Sequence, residues 1–576
     1  AVVCPALRIN ETMTTPVRSR ADLHLHSRAS DRPSEWFLRR IGAPESFLAP
    51  DEAWRRCCER GMDFVTLTDH NTLEGVLSIA GRPNVFLSVE ATTYFPEDGA
   101  KLHVLIWGLT EAQFETVQSL RPNVYELSSW LRSVQLPHAV AHPLFRVDGR
   151  LSAEHVERML VLFDTFEGLN GSRDARAGDM FQAILAALTV DDLERFADRH
   201  GISDPLTRPD RKRCTGGSDD HSGLYLADAH TVTPFAGSVA EFLEHIRAGR
   251  HEPAGRAGSS LRLTRSVMHI AAEYVRARFP ALADDRSLLG SILARLGGVE
   301  RPTAGPHRLR RALAAVVRRV RHRRLPPAER KIADDLFALA EAGSIVSAEK
   351  EEPEQEAFRR ATRVAHRLAV VWIERFVQRL REGRILDALE AGASLGPLAL
   401  AAAPYLTAVG AQHKDELFLH SLADRLPGAA AHRRRSRRTA WLTDTLTDLN
   451  GVARTVRSLA SLAHREGREV LVVTCLGEVL PSDYPLKVFE PIGEVTLPEY
   501  PHQPLRVPPV LDVIEFLERE RVDQVLISTP GPIGLCGLWA ARLLALRQAG
   551  IYHTDFPDYI RLWTEDDLMR DLAVRY

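Results

Sequence analysis

Asp22-Leu23-His24-Leu25-His26-Ser27-Arg28-Ala29-Ser30-Asp31 is the stretch whose reading decides the fold. Side chains alternate across a β-strand with period two, so one apolar residue between two histidines turns both imidazoles to the same side. A carboxylate five residues beyond the second histidine, reached through a short polar turn, can fold back onto the same ion. A lone His-x-His is more often a partly buried strand than a metal site, and recurrence is what changes that reading. Phe64-Val-Thr-Leu-Thr-Asp69-His70 is a β-rich run ending in a carboxylate and an imidazole, and Val85-Phe-Leu-Ser-Val-Glu90 ends in another carboxylate. His103 opens His-Val-Leu-Ile-Trp, and Ala139-Val-Ala-His142-Pro closes a short run. Cys214-Thr-Gly-Gly-Ser-Asp219-Asp220-His221 completes the series, its glycines letting the backbone turn sharply beside a site. Strand after strand delivers His, Asp or Glu at one end.

On these motifs residues 21–262 resemble the PHP family, the polymerase and histidinol phosphatase metal-dependent phosphoesterases. The resemblance implies an α/β fold, a distorted seven-stranded β/α barrel holding up to three divalent metal ions at the C-terminal ends of its strands, where β/α barrels carry their active sites. It implies the ligands His24, His26, Asp31, His70, Glu90, His103, His142, Asp219 and His221, with Glu90 bridging metals and Glu90, Asp219 and His221 carrying the chemistry. Asp22, Asp69 and Asp220 are expected behind them, fixing imidazole tautomers. Imidazole and carboxylate donors suit Zn, Mn or Fe without choosing among them. The implied reaction is hydrolysis of a phosphate ester by metal-bound hydroxide, with paired ions offsetting charge on the attacking and leaving oxygens. A small phosphorylated substrate is expected, and the motifs alone leave its identity open. A metal-stabilised scaffold without catalysis is a further reading of the same ligands.

The rhythm around the motifs is β-α-β. Pro50-Asp-Glu-Ala-Trp54 opens a helix that stops at Gly61, and a strand from Phe64 follows at once. Helices are expected over 111–120, 124–134, 152–160, 176–200 and 239–249. Phe163 to Arg173 reads as a strand with polar residues at its mouth. Asn170 and Arg173 could touch substrate there, a solvated loop being the other reading.

The chain has 576 residues, 45% hydrophobic and 26% charged, and a net charge of -2, which is globular in class with room for two to four domains. That balance gives no general signal for nucleic acid, and no specific nucleic-acid partner is expected. Six scattered cysteines lack framework spacing; Cys57 and Cys58 read as thiols on a helix, and a reducing cytoplasmic location is expected. Residues 1–20 lack the pattern of a secretory signal and are expected to be disordered. Residues 263–436, rich in Ala, Leu and Arg, read as a helical connector. Its basic runs Arg308–Arg324 and Arg433–Arg438 would attract anionic lipid as a peripheral contact if they are not simply solvated. Ala391–Ala411 has no charged residue, and its Ala, Gly and Pro content favours a buried or interfacial helix over a bilayer span.

From Thr439 a second α/β pattern begins, with strands near Ala440, at Glu469–Cys475 and at Gln524–Ser528, a helix at Val510–Arg519, and two glycine loops whose backbone amides could meet phosphate or a polar ligand. Asp448-Leu-Asn450-Gly451-Val, Ser528-Thr-Pro-Gly531-Pro-Ile-Gly534 and His553-Thr-Asp555-Phe are its signatures. On them residues 437–576 resemble the N-terminal, acceptor-binding half of GT-B glycosyltransferases, near the retaining family that includes glycolipid mannosyltransferases. The resemblance implies a Rossmann-like domain, a truncated enzyme lacking the half that holds the nucleotide sugar, a sugar or glycolipid acceptor, and a cleft lined by Asn450, Gly451, Gly531, His553 and Asp555. On that reading the N-terminal domain could be accessory to sugar transfer.

Overall fold

The computed structural model describes residues 18–30, 36–203, 207–278, 353–381, 396–432, 438–478, 481–497 and 500–553, with Asp571 and Val574. The chain divides into two compact units, 1–364 with 399–433, and 365–398 with 434–576. Asp31, Arg308–Arg324, Arg433–Arg437 and Asp555 lie outside the described residues.

The first unit is mixed α/β. One sheet has the order β2 (Ser88–Tyr94), β3 (Lys101–Trp107), β4 (His138–Val140), β5 (Thr165–Asn170) and β6 (Arg213–Gly217). Its first two pairings are antiparallel and its last two parallel. A second, antiparallel sheet joins β1 (Arg18–Ala21), β7 (Ala229–Pro234) and β8 (Glu252–Gly255). Single parallel bridges, Leu25 to Asp220, Val65 to Val85 and His70 to Glu90, run along the segments that carry the motifs. The described residues pair as two sheets, with the motif segments at Leu25 and Val65–His70 joined to β2 and to the segment after β6 by single bridges only, which does not by itself establish the distorted seven-stranded barrel expected. The reason is local. Asn71, His142 and Asp219, at or beside motif positions, have φ of 56°, 30° and 50°, and a left-handed residue turns the chain out of a ladder.

The helices follow their sequence signals. Thr110 caps Glu111–Leu120 with a capping box completed by Gln113, and Asn123 caps Val124–Ser133. The helix expected over 176–200 is two helices, Ala175–Ala187 and Val190–His200, because Leu188 and Thr189 are extended and Thr189 starts a new capping box with Asp192. Residues 18–20, expected to be disordered, pair with β7. Leu25, Leu67, Val89, Val104, Ile106, Phe163, Phe166 and Phe181 form the core between sheet and helices.

The last described part of the expected connector, residues 399–432, is not a separate region. Helices Gly396–His413 and Glu416–Leu422 pack on the first unit: Phe418, Leu422, Leu426 and Ala429 enter its core. Gln412 accepts from the Asp174 N–H at 2.9 Å and donates to the Ser172 carbonyl at 2.8 Å, and Arg176 pairs with Glu416 at 2.8 Å. No helix among the described residues is long and apolar enough to cross a membrane. Ala402, Ala403, Tyr405, Ala408 and Val409, within the uncharged stretch, are buried against protein. Cys57 is a free buried thiol, whereas Cys58, expected as a thiol, is disulfide-bonded.

The second unit has a parallel sheet of order β11 (Leu486–Phe489), β10 (Val470–Cys475), β9 (Thr439–Leu442), β14 (Gln524–Ile527) and β15 (Arg547–Gly550), with a hairpin of β12 (Gly493–Leu497) and β13 (Tyr500–Val507). Counted within the sheet this order is 3-2-1-4-5, the Rossmann-like arrangement, and its connections reverse direction between β9 and β14.

Trp107 ties the first unit together: its ring is fully buried and its Nε1 donates to the Leu23 carbonyl, 2.9 Å away, beside the first histidines. Trp107→Ala is expected to remove about 3–5 kcal/mol of stability, read as a lower urea midpoint for unfolding of that unit.

Candidate metal centre

Eight of the nine sequence-predicted ligands meet in one place; the ninth, Asp31, lies outside the described residues. Their donor atoms form four overlapping groups: His26, His70 and His221; His24, His26 and Asp219; His24, Glu90 and His142; His70, Glu90 and His103. Within each group the atoms lie within 4.8 Å of one another.

Glu90 is the hub. It is fully buried on β2, and five imidazoles surround its carboxylate. Oε2 lies 3.2 Å from His24 Nε2, 3.2 Å from His26 Nε2 and 3.1 Å from His70 Nδ1. Oε1 lies 2.7 Å from His103 Nδ1 and 3.3 Å from His142 Nε2. Asp219 adds a second carboxylate, 3.4 Å from His24 Nε2 and 3.5 Å from His26 Nε2.

The far sides of the rings decide what the near sides can be. His24 Nδ1 faces Glu167 Oε1 at 2.8 Å, and a carboxylate only accepts, so Nδ1 carries the proton. Ser30 Oγ donates to Asp69 at 3.1 Å and so accepts from His26 Nδ1, also at 3.1 Å. His221 Nδ1 donates to the Asp219 carbonyl at 3.0 Å. In the neutral forms of His24 and His26, Nε2 therefore turns a lone pair toward carboxylate lone pairs. Neither His26 Nε2 nor His70 Nδ1 has a hydrogen-bond partner among the described residues. Lone pairs converging on lone pairs need a positive charge between them, either a proton or a cation, and imidazole with carboxylate is a donor set that divalent metals take. The residues present fit such a group.

The electrostatics agree. Burial opposes charge on both Glu90 and Asp219, yet the imidazoles around them outweigh it and hold both carboxyls well below their usual range. Burial likewise opposes charge on His24, but Glu167, Asp219 and Glu90 hold it well above the ordinary imidazole value. His70 and His142 are pushed down, chiefly by burial.

Two carboxylates of the centre escaped the sequence reading. Glu45, buried, lies 3.6 Å from His70 Nε2 and 3.5 Å from His221 Nε2. It sits in a Gly-Ala-Pro-Glu-Ser loop with no strand pattern to mark it. Glu167, buried in the middle of an apolar β-run, carried a readable signal: a charge there needs a partner. Asp22, Asp69 and Asp220 hold no imidazole directly. Asp22 accepts from the N–H groups of His24, Ser218 and Ala227, and Asp220 from Ser222 and the Tyr225 N–H. Asp69 accepts from Ser27 N–H and from the Ser27 and Ser30 hydroxyls, reaching His26 only through Ser30. They fix the loops, and Glu167 and Ser30 fix the tautomers. Asn170 is also committed: Nδ2 donates to Glu167 at 2.9 Å and to Asp219 at 3.1 Å, and Oδ1 accepts from the N–H groups of Ser172 and Arg173. It positions the carboxylates and offers substrate little. Arg173 stacks on Phe145, 3.8 Å from the ring centre, with Nε 3.7 Å from Asp219.

In the second unit, Asn450 caps helix Gly451–Arg465, accepting from the Ala453 N–H at 2.8 Å, while Gly451 faces open space. The second glycine loop is filled from inside. Asp444 accepts from Thr529 Oγ1 at 2.7 Å and from the Ile533 N–H at 3.0 Å, and a Cβ on Gly531 would collide with its carboxyl. Amides expected to be free for phosphate are thus engaged by the chain's own side chains. His553 Nε2 lies 3.3 Å from Ser528 Oγ, which accepts from Trp441 Nε1 at 2.6 Å. Asp444 and Ser528 follow β9 and β14, at the switch point where Rossmann-like sheets bind ligands.

Residues 449–575 match the family model described as Glycosyltransferase Family 4. A curated relative, alpha-monoglucosyldiacylglycerol synthase of Streptococcus pneumoniae, is 24% identical over 145 residues, which cover 24% of this chain and 32% of the relative. The chain thus spans about a third of that relative's length. The C-terminal region carries a glycosyltransferase module. Among solved structures, PsfC from Pseudomonas syringae PB-5123 aligns at TM-score 0.26 and 13% identity, over 42% of this chain and 92% of its own. A protein described as a candidate metal-dependent phosphoesterase from Bifidobacterium adolescentis aligns at TM-score 0.23 and 16% identity, over 36% and 89%. At those TM-scores neither likeness bears on fold or function.

A Cβ on Gly217 would strike His24 Cβ and stand 2.9 Å from both His24 N and Glu167 Oε1. Gly217→Ala alters no donor, yet it is expected to lower the metal content of purified protein by more than half, measured by inductively coupled plasma mass spectrometry against a thermal melt that remains cooperative.

Proposed function

We propose that the first unit is a metal-dependent hydrolase of phosphate esters, joined in one chain to the glycosyltransferase module. The observation that carries this reading is the enclosure of the buried Glu90 carboxylate by five imidazoles, with Asp219 alongside. His24, His26, His70, Glu90, His103, His142, Asp219 and His221 would hold divalent ions, with Glu45 beside His70 and His221. When bound, such ions lower the pKa of water and offset charge on phosphoryl oxygens.

The chain's own residues do the rest. Glu90 turns Oε2 to His24, His26 and His70 and Oε1 to His103 and His142, so both of its oxygens would be available to hold ions. Asn170 and Glu167 keep Asp219 and His24 in place, so the centre is assembled before substrate arrives. His221 and His70 are the more open imidazoles, with 17% and 24% of their side chains exposed, and they mark the side from which a phosphate ester would approach. Arg173 adds a fixed positive charge at Asp219. A buried site this rich in carboxylate repels phosphate unless cations are present.

A second reading is favoured by the family match at 449–575: the chain serves glycosyl transfer to a sugar or glycolipid acceptor, and the first unit is accessory, its metal centre a scaffold. Activity separates the two. Under the first reading the metal-loaded full chain hydrolyses members of a panel of phosphate esters, a chelator abolishes turnover, and His24→Ala or Glu90→Gln lowers kcat at least about 100-fold, because even the groups behind a metal's ligands cost about 10–100-fold when mutated. Metal bound in full with no ester hydrolysed would leave only the accessory reading.

A further inference from the structure

The four donor groups of the metal centre differ in charge and in access. Three contain a carboxylate, Asp219 once and Glu90 twice, and two of those three are wholly buried. The fourth, His26 with His70 and His221, is imidazole alone, and it holds the two more open rings. Neutral imidazoles bring no negative charge to a divalent ion, and charge left unbalanced away from water is costly.

Glu45 stands where that charge is missing. It is 2% exposed, and its two oxygens face different rings of the group: Oε1 lies 3.5 Å from His221 Nε2, and Oε2 lies 3.6 Å from His70 Nε2. His221 donates from Nδ1 to the Asp219 carbonyl, so its neutral form turns the Nε2 lone pair toward Glu45. Neutral His70 has one lone pair, and both of its nitrogens face carboxylates, Glu90 at Nδ1 and Glu45 at Nε2. The separations favour a shared ion over a shared proton. A charge-assisted hydrogen bond between nitrogen and carboxylate spans about 2.7–2.9 Å, whereas two donors each about 2.1 Å from one tetrahedral ion stand about 3.4 Å apart.

Packing puts Glu45 there. Helix Trp36–Ile41 ends at Gly42, whose φ of 73° is left-handed, and the Ala43 N–H donates to the Leu38 carbonyl at 3.0 Å. Phe37, Leu38 and Ala43 pack with Leu263, Val267 and Ile270 of helix Ser260–Arg278. Beyond Glu45, the Leu48 carbonyl accepts from the Arg28 N–H at 2.8 Å, which ties the loop to the first motif. The loop is thus fixed on both sides of the carboxylate.

We propose that Glu45 is a ligand of the centre, completing the group of His26, His70 and His221, and that the ion it holds is the exchangeable one, the buried groups keeping theirs. The inference rests on the metal-centre half of the proposed function and does not depend on which ester, if any, is hydrolysed.

The test is the zinc content of the full chain, loaded with zinc, desalted and measured by inductively coupled plasma mass spectrometry, with thermal melts in parallel. Glu45→Gln is expected to hold about one ion equivalent fewer than wild type and still to melt cooperatively. Adding His221→Gln to it is expected to cost no second equivalent, because His221 belongs to the same group alone. Wild-type protein challenged with chelator is expected to release about one equivalent in a separate fast phase, a readout that needs no variant to fold. Full metal content in Glu45→Gln, whether or not Asp31→Asn loses an ion, would overturn the assignment. So would loss of every ion from Glu45→Gln with its melt intact, or release of all the wild-type metal in one phase. The expected metal losses with no ester hydrolysed by wild type would instead overturn the phosphoesterase reading and leave Glu45 a ligand.

Discussion

The first unit is built around a carboxylate that cannot be left alone. Glu90 is fully buried, and an isolated buried carboxylate is costly enough that a protein either protonates it or surrounds it with positive charge. Here the surroundings are five imidazoles from four separate segments. Each ring that approaches Glu90 needs its other nitrogen satisfied, and the acceptors on His24 and His26 account for Glu167 and Ser30 in turn. Much of the polar interior follows from that one placement.

The same demand shapes the backbone. Strand ends must stop pairing to aim their side chains inward, and the left-handed residues Asn71, His142 and Asp219 do this at the points where the ladders break. The loops so released are tied down by Asp22, Asp69 and Asp220, which spend their oxygens mostly on backbone N–H groups. Gly217 is small for a related reason, since the His24 side chain occupies the space a Cβ would take. Strained positions and buried charges thus concentrate at one end of the sheet, where function is expected to use them.

The two units apply the same chemistry differently. In the first, buried carboxylates face imidazoles and need cations. In the second, Asp444 is satisfied by a hydroxyl and a helix N–H, so its loop is internally closed, and the open position near the switch point is the Gly451 side. A glycosyltransferase family match covers 449–575, while the centre in the first unit stands on geometry alone. Segment 399–433 belongs with the first unit by packing, although sequence composition grouped it with a connector.

Local sequence determined the elements and the donors. Period-two runs ending in His, Asp or Glu marked His24, His26, His70, Glu90, His103, His142, Asp219 and His221, because strand alternation and chain punctuation are local properties. Capping residues such as Thr110 and Asn123 did the same for helices. The sequence could not show that β1, β7 and β8 form a sheet apart from β2–β6, since pairing depends on partners distant along the chain. It could not place Glu45, which has no periodic context, nor bring Lys414 beside Arg173 on Phe145. Tertiary structure alone decided which acceptor sits behind each imidazole, and therefore which nitrogen faces the centre, because that choice is made by contacts between segments that no local pattern encodes.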